Sequence, residues 1–299
     1  MVSRALVLGG GGPVGIAWET GLLAGLEERG VDLARADLIV GTSAGAMVGA
    51  QLALGRSPQS MLASQRALAE QSRRGAASGE SGGPGSAPAA RLQPLMQFME
   101  RLAAADEAAA RQVRAEIGAF ALQADTMPEA QWLATFGFLR GAEWPPKRFI
   151  ATAVDAEDGS FVAWEQSAGV PLGLAVASSC TVPGVFPPVL INGRRYIDGG
   201  MRSATNADLA SGFDRVVVVA VTAAMAPTNA GDRYRRSLER EVAALHDGGS
   251  QVAVIVPDAA SVEAFGPNLM DGTRRAGAVE AGYAQGKLTA EVLARGWTD

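Results

Sequence analysis

Residues 37–54 read Asp-Leu-Ile-Val-Gly-Thr-Ser-Ala-Gly-Ala-Met-Val-Gly-Ala-Gln-Leu-Ala-Leu. Asp37 to Val40 is a strand-length apolar run that stops at Gly41, and Ala44 to Leu54 reads as an apolar helix. Between them stands Gly41-Thr42-Ser43-Ala44-Gly45, a G-x-S-x-G sequence. On a tight strand-to-helix turn such a serine is held in a strained backbone conformation that projects its hydroxyl outward. The positions two before and two after it come close together, so side chains there would clash. The helix that follows offers free N–H groups and the positive end of its dipole to negative charge, with Ala44 as its first donor. A glycine-rich turn with an incidental serine is the plainer reading of the pentapeptide alone. The flanking strand and helix favour a nucleophile.

Upstream, Arg4 to Leu8 forms another short apolar run, followed by Gly9-Gly10-Gly11-Gly12-Pro13-Val14-Gly15. Helical spacing then carries Ile16, Leu22, Leu23 and Leu26 to a stop at Gly30. Strand, glycine and helix in succession, twice over, predict βαβ units and a largely parallel sheet. The glycine run can turn several N–H groups into one concavity that suits an anion, such as the oxyanion of an ester's tetrahedral intermediate. Gly10-x-Gly12-x-x-Gly15 equally satisfies a dinucleotide-binding fingerprint, with Asp32 and Asp37 near the spacing of its ribose-binding acid. The loop alone leaves both uses open. The Ser43 elbow favours the first, because a dinucleotide site has no use for it.

Downstream, residues 73–90 are rich in Gly, Ser and Pro and read as a flexible loop. Leu92, Leu95, Met96, Met99 and Leu102, then Val113, Ile117 and Phe120, predict a helical insertion over about 91–140. Met96, Phe98, Met99, Phe136 and Phe138 are candidates to line an acyl pocket, although core packing is the plainer role for most of them. Strand signals return at Arg148–Val154 and Phe161–Trp164, and Leu172–Ser178 reads helical. Val189–Ile191 and Arg194–Ile197 flank Asn192-Gly193, a two-residue hairpin signal. The second of these runs ends in Asp198-Gly199-Gly200, where an aspartate can sit deep in a site while the chain turns away; a structural turn is the plainer reading of an isolated Asp-Gly. Strands at Arg215–Val221 and Gln251–Val256, with a charged helix over Arg233–Leu245 between them and a final helix over Thr273–Ala294, complete the pattern. The whole reads as one α/β domain over 1–299, its motifs within about 4–210 and its sheet completed by 211–299.

Composition narrows the function. The 299 residues are 48% hydrophobic and 19% charged, which suits a globular chain with a sizeable core. A net charge of −5 argues against nucleic acid as a partner. One cysteine, Cys180, excludes an intramolecular disulfide and any multi-cysteine zinc site. No run approaches the roughly 20 apolar residues that span a bilayer, and the N-terminus carries no signal-peptide pattern, so the expected location is cytoplasmic. Peripheral contact with a membrane stays open. The one histidine, His246, follows a charged helix, a position that more often holds a solvated residue than a catalytic one.

In this order and combination the motifs resemble those of the patatin-like phospholipases: the glycine loop at 10–15, G-T-S-A-G at 41–45 and D-G-G at 198–200. The stretch Ala177-Ser178-Ser179-Cys180 leading into Pro183-Gly184-Val185-Phe186-Pro187-Pro188 is similar to the block before that family's aspartate. The resemblance implies a three-layer α/β fold and a hydrolase of lipid or other acyl esters that needs no metal or cofactor. It also implies a Ser43–Asp198 dyad and an oxyanion hole made by Gly10, Gly11, Gly12 and Ala44, with Gly15, Gly41, Gly45, Gly199 and Gly200 supporting the turns. One departure stands out: the family usually carries Arg or Lys before the last glycine of the first motif, where this chain has Val14. A catalytically silent lipid-binding or regulatory member is the main alternative, and a dinucleotide-binding oxidoreductase a more distant one.

Overall fold

The computed structural model describes residues 2–77, 87, 89–224 and 229–297. The first half runs β1 (Arg4–Leu8), α1 (Gly12–Glu28), β2 (Leu38–Gly41), α2 (Ala44–Ala53), α3 (Pro58–Ala77), α4 (Gln93–Ala104), α5 (Glu107–Gln123) and α6 (Glu129–Ala134). The second runs β3 (Arg148–Asp155), β4 (Phe161–Trp164), α7 (Leu172–Ser179), β5 (Val189–Ile191), β6 (Arg194–Asp198), β7 (Arg215–Val219), α8 (Asn229–Asp247), β8 (Gln251–Ile255), α9 (Ala259–Phe265) and α10 (Arg275–Trp297). Helix α3 carries through residues 73–77, at the start of the stretch expected to be loop; residues 78–86 and 88 of that stretch lie outside the described residues.

One sheet, ordered β5-β6-β3-β2-β1-β7-β8 with β4 paired to β3, organises the chain. The β3-β2-β1-β7-β8 portion is parallel, while β4, β5 and β6 run antiparallel to their partners. Asn192 (φ 50) and Gly193 (φ 82) make the expected tight turn between β5 and β6. Because side chains alternate along a strand, β1 feeds two cores. Leu6 and Leu8 join one built with α1, α2, α7 and α10, while Ala5 and Val7 join another with Leu238 and Leu245 of α8. Both faces of the sheet are therefore covered, and the architecture is helix, sheet, helix. Helices α4 and α5 form a third cluster over Val154, Ile197 and Met201, so the insertion packs beside the end of β6.

The first core contains an unusually close helix pair. Added Cβ atoms at Gly21 and Gly25 of α1 would lie 2.1 and 2.2 Å from backbone oxygens of Val279 and Tyr283. Those at Gly282 and Gly286 of α10 would lie 2.2 and 2.3 Å from Trp18 and Leu22 oxygens. Four glycines thus let two backbones touch. Among the described residues no helix is long and apolar enough to cross a membrane.

Candidate active site

Strand register brings the two central residues together. Gly41 ends β2 beside Ala151 of β3, and Asp198 ends β6 beside Ala153. Both alanines also pair with β4 on the opposite edge, so β2 and β6 share one edge of β3 and their ends, with Ser43 two residues past Gly41, face each other. Ser43 has φ 54 and ψ −115, in a region costing a non-glycine residue about 1–3 kcal/mol. The strain is held in place by its surroundings. A Cβ on Gly41 would meet the Gly45 oxygen at 2.6 Å, and one on Gly45 would meet the Leu8 oxygen at 2.0 Å. The Ser43 N–H donates to Ser179 Oγ at 3.0 Å, and the Cys180 thiol donates to the Ser43 carbonyl at 3.1 Å.

Asp198 is buried, with 3% of its surface exposed. Burial lifts its carboxyl from the ordinary carboxylate range to about 7, against the opposing pull of hydrogen bonds from the Gly200 N–H and the Ser43 hydroxyl. The Gly200 bond is 2.8 Å long and fixes one carboxylate oxygen, while the Asp198 N–H is tied to the Thr181 carbonyl at 3.0 Å. Gly199 permits this close packing, because a Cβ there would fall 2.2 Å from Thr152 Oγ1. The structure thus joins the serine of the second motif to the aspartate of the third.

The glycine loop closes the other side. Gly12 (φ 57), Ser43 and Ala44 line one pocket of about 370 Å³. Among the described residues, no hydrogen bond occupies the N–H of Gly11, Gly12 or Ala44, as expected of the open first turns of α1 and α2. Gly10 departs from the expectation. Its N–H donates to the Ala204 carbonyl at 2.8 Å, which leaves it no hydrogen for an oxyanion; a Cβ there would make only ordinary contact with Ser43 Cβ, at 3.4 Å. Gly15 packs against Ala44, and Val14 is fully buried with its N–H on the Leu269 carbonyl at 3.2 Å. The acids near the dinucleotide spacing are engaged elsewhere: Asp32 accepts from the Ala34 N–H and Asp37 from the Arg4 N–H.

Beyond Ser43 the pocket is walled by Ile16, Met47, Met61, Trp132, Phe138 and Phe186, with Arg56 and Gln65 at its polar margin. Of the aromatic and methionine candidates from the insertion, only Phe138 lines it. Met99 belongs to the third core cluster, Phe98 packs on Phe120, Phe136 on Trp132, and Met96 is exposed. His246 is remote in its bonding: its Nδ1 meets the Ser250 carbonyl at the end of α8.

A buried polar layer supports the site and escapes sequence inspection. Asn206, at φ 50, donates from Nδ2 to Thr42 Oγ1 (3.0 Å) and the Ser203 carbonyl (2.8 Å), and Thr42 Oγ1 meets Thr152 Oγ1 at 2.9 Å. Glu241 of α8 accepts from Thr205 Oγ1 and the Ala207 N–H. Apart from Thr42, none of these residues stands in a motif. A positive φ at Asn206 is the kind of feature asparagine tolerates, but its position cannot be read from composition.

Comparison with known proteins follows the same geometry. No curated protein matches the chain. Among solved structures, VipD from Legionella pneumophila is 14% identical, with a TM-score of 0.43 over 97% of this chain and 67% of VipD. The type III effector protein ExoU is 16% identical, with a TM-score of 0.33 over 96% of this chain and 54% of ExoU. The chain therefore spans little more than half of ExoU. Residues 6–211, which hold the glycine loop, the Ser43 elbow and Asp198-Gly199-Gly200, match the sequence pattern of the family described as Patatin-like phospholipase. Matched by that pattern over more than half of its length, the chain belongs to the patatin-like phospholipases, a family of lipid acyl hydrolases.

Proposed function

We propose that the protein hydrolyses lipid acyl esters with Ser43 as nucleophile and Asp198 as its general base. The observation that carries this reading is the placement of Ser43 beside a buried Asp198 carboxyl whose pKa burial raises to about 7. An ordinary carboxylate near 3.9 is a weak base for a hydroxyl; one near neutrality is matched to proton transfer at working pH. The acyl chain lies along the apolar wall formed by Met47, Trp132 and Phe186. Ser43 Oγ attacks the ester carbonyl as Asp198 takes its proton. The N–H groups of Gly11, Gly12 and Ala44 receive the oxyanion, aided by the N-terminal end of α2. The protonated Asp198 then gives its proton to the departing alcohol. Water, deprotonated by the same carboxylate, attacks the acyl-Ser43 ester, and as the intermediate collapses Asp198 returns that proton to Ser43 Oγ, releasing the fatty acid and the free serine. Every step uses side chains and backbone donors of this chain, so the proposal calls for no cofactor.

The test is labelling by a fluorophosphonate together with turnover of p-nitrophenyl esters and lysophospholipids, in wild type and Ser43→Ala. Labelling and hydrolysis in the wild type, both lost in a folded Ser43→Ala protein, are expected. A wild type inert to probe and esters would point to a silent lipid-binding member. Near-wild-type turnover by Ser43→Ala would refute the nucleophile.

A further inference from the structure

A second polar groove, of about 570 Å³, lies between the α4–α5 insertion and α8. Five arginines line it: Arg114, Arg202, Arg233, Arg236 and Arg240. This concentration occurs in a chain whose net charge is −5. Three carboxylates, Asp106, Glu107 and Glu239, share the lining, and Asp208 and Glu241 lie close by. Glu107 pairs with Arg114 at 2.9 Å, and Asp106 is spent on the Ala109 N–H at the start of α5. Arg202 is held outside this set by Asp208 at 2.6 Å. Glu239 is the third carboxylate on the wall, and it is exposed. Among the described residues Arg233, Arg236 and Arg240 have no carboxylate at ion-pair distance; Glu241, whose charge reaches Arg233, accepts from Thr205 Oγ1, the Ala207 N–H and Ser237 Oγ.

Arg233 is the informative residue. Only 8% of it is exposed, a rare state for a guanidinium without an ion pair. Its Nη2 donates to the carbonyls of Met201 (3.2 Å) and Arg202 (2.9 Å), but its Nη1 is buried with no acceptor. A buried donor left unpaired destabilises the fold, and an acceptor in the groove would relieve it. Burial is the main force pushing the Arg233 pKa down, and the charges of Arg114 and Arg240 add to it against the opposing pull of Tyr234 and Glu241. Phosphate suits such a place, because its oxygens accept several hydrogen bonds at once and guanidinium matches it in a fork.

We propose that this groove binds a phosphate group, with Arg233 at its floor and Arg236 and Arg240 at its rim. The site is separate from the Ser43 pocket, and it stands or falls independently of the hydrolase reading. It also abuts that chemistry. The carbonyls that Arg233 holds belong to the turn that follows Asp198-Gly199-Gly200, so the ligand shares a guanidinium with the segment that positions the aspartate.

The phosphate can come from a soluble compound or from a lipid headgroup, and two measurements separate them. Thermal unfolding is followed against pyrophosphate at constant ionic strength. Co-sedimentation is followed with phosphatidylcholine vesicles, with and without phosphatidic acid. The reference variant is Arg236→Glu/Arg240→Glu, whose two positions are exposed and therefore compatible with folding. A saturable rise in melting temperature with pyrophosphate, weakened about tenfold or more in the double variant, identifies a soluble phosphate ligand. Retention on phosphatidic acid vesicles alone, lost in the double variant, identifies a headgroup. No saturable response to either probe, or a response undiminished by the charge reversal, overturns the proposal.

Discussion

Asp198 concentrates the conflict between stability and chemistry in one carboxyl. Folding buries it and raises its pKa to about 7, above the ordinary value near 3.9, so the folded state holds its proton over a range where the unfolded chain has lost it. Its stability contribution is therefore full below about pH 4 and is lost as pH rises through 7. Asp198→Asn removes the charge but keeps the shape. Its unfolding free energy should match wild type near pH 4, exceed it progressively from pH 5 to 7, and level off above that, with a gain of at most about 4 kcal/mol. Denaturant titration at several pH values checks this. The same variant should lose ester hydrolysis by orders of magnitude, because it has no proton acceptor. In the wild type, kcat/KM should fall on acidification through about pH 7, and that limb should persist unchanged in His246→Gln, since the His246 ring bonds to the Ser250 carbonyl at the end of α8. A His246→Gln protein as impaired as Asp198→Asn would mean that the imidazole takes part.

Among the elements, the α1–α10 seam makes the sharpest demand. Gly21→Ala places a methyl 2.1 Å from the Val279 oxygen, and neither helix backbone can yield alone, so a loss of about 1–3 kcal/mol or more is expected in thermal or denaturant melts. Gly296→Ala serves as the contrast: it lies in the same α10, nothing stands within 4 Å, and helix propensity should make it neutral or up to about 1 kcal/mol stabilising. Legibility in the sequence divides along similar lines. Strands β1, β2 and β5 and helix α2 were readable because apolar runs end at glycine, asparagine or proline, and the elbow and the Asp198 turn were readable because steric crowding restricts their spelling. Helix α3 was not. Its buried face amounts to residues such as Met61, Leu62 and Ala69 among Gln, Ser and Arg, too thin a stripe to stand out, yet it supplies part of the pocket wall. The commitment of Gly10's N–H to Ala204, and the Asn206 layer beneath Ser43, depend on contacts between segments more than 160 residues apart, which no local pattern encodes.

At the scale of the molecule, the sheet gathers its chemistry from three separate segments and seals it between two cores. The glycine loop begins α1, and α1 is fixed by α10, which lies beyond the matched residues 6–211. The partners in that seam are more than 250 residues apart in sequence, as with Gly21 and Val279. Contacts of such separation close late in folding, since the intervening chain must first lose its freedom. Refolding from denaturant should therefore run in two kinetic stages. Far-UV circular dichroism recovers in the first; the fluorescence of Trp18 and Trp297, both buried in the core that α1 and α10 share, and esterase activity recover together in the second. Activity that returned in step with the dichroism would show that the loop is set without the seam. The four glycines thus act on time as well as on space: by leaving α1 without a lining of its own, they make the moment of competence wait for the most distant part of the chain.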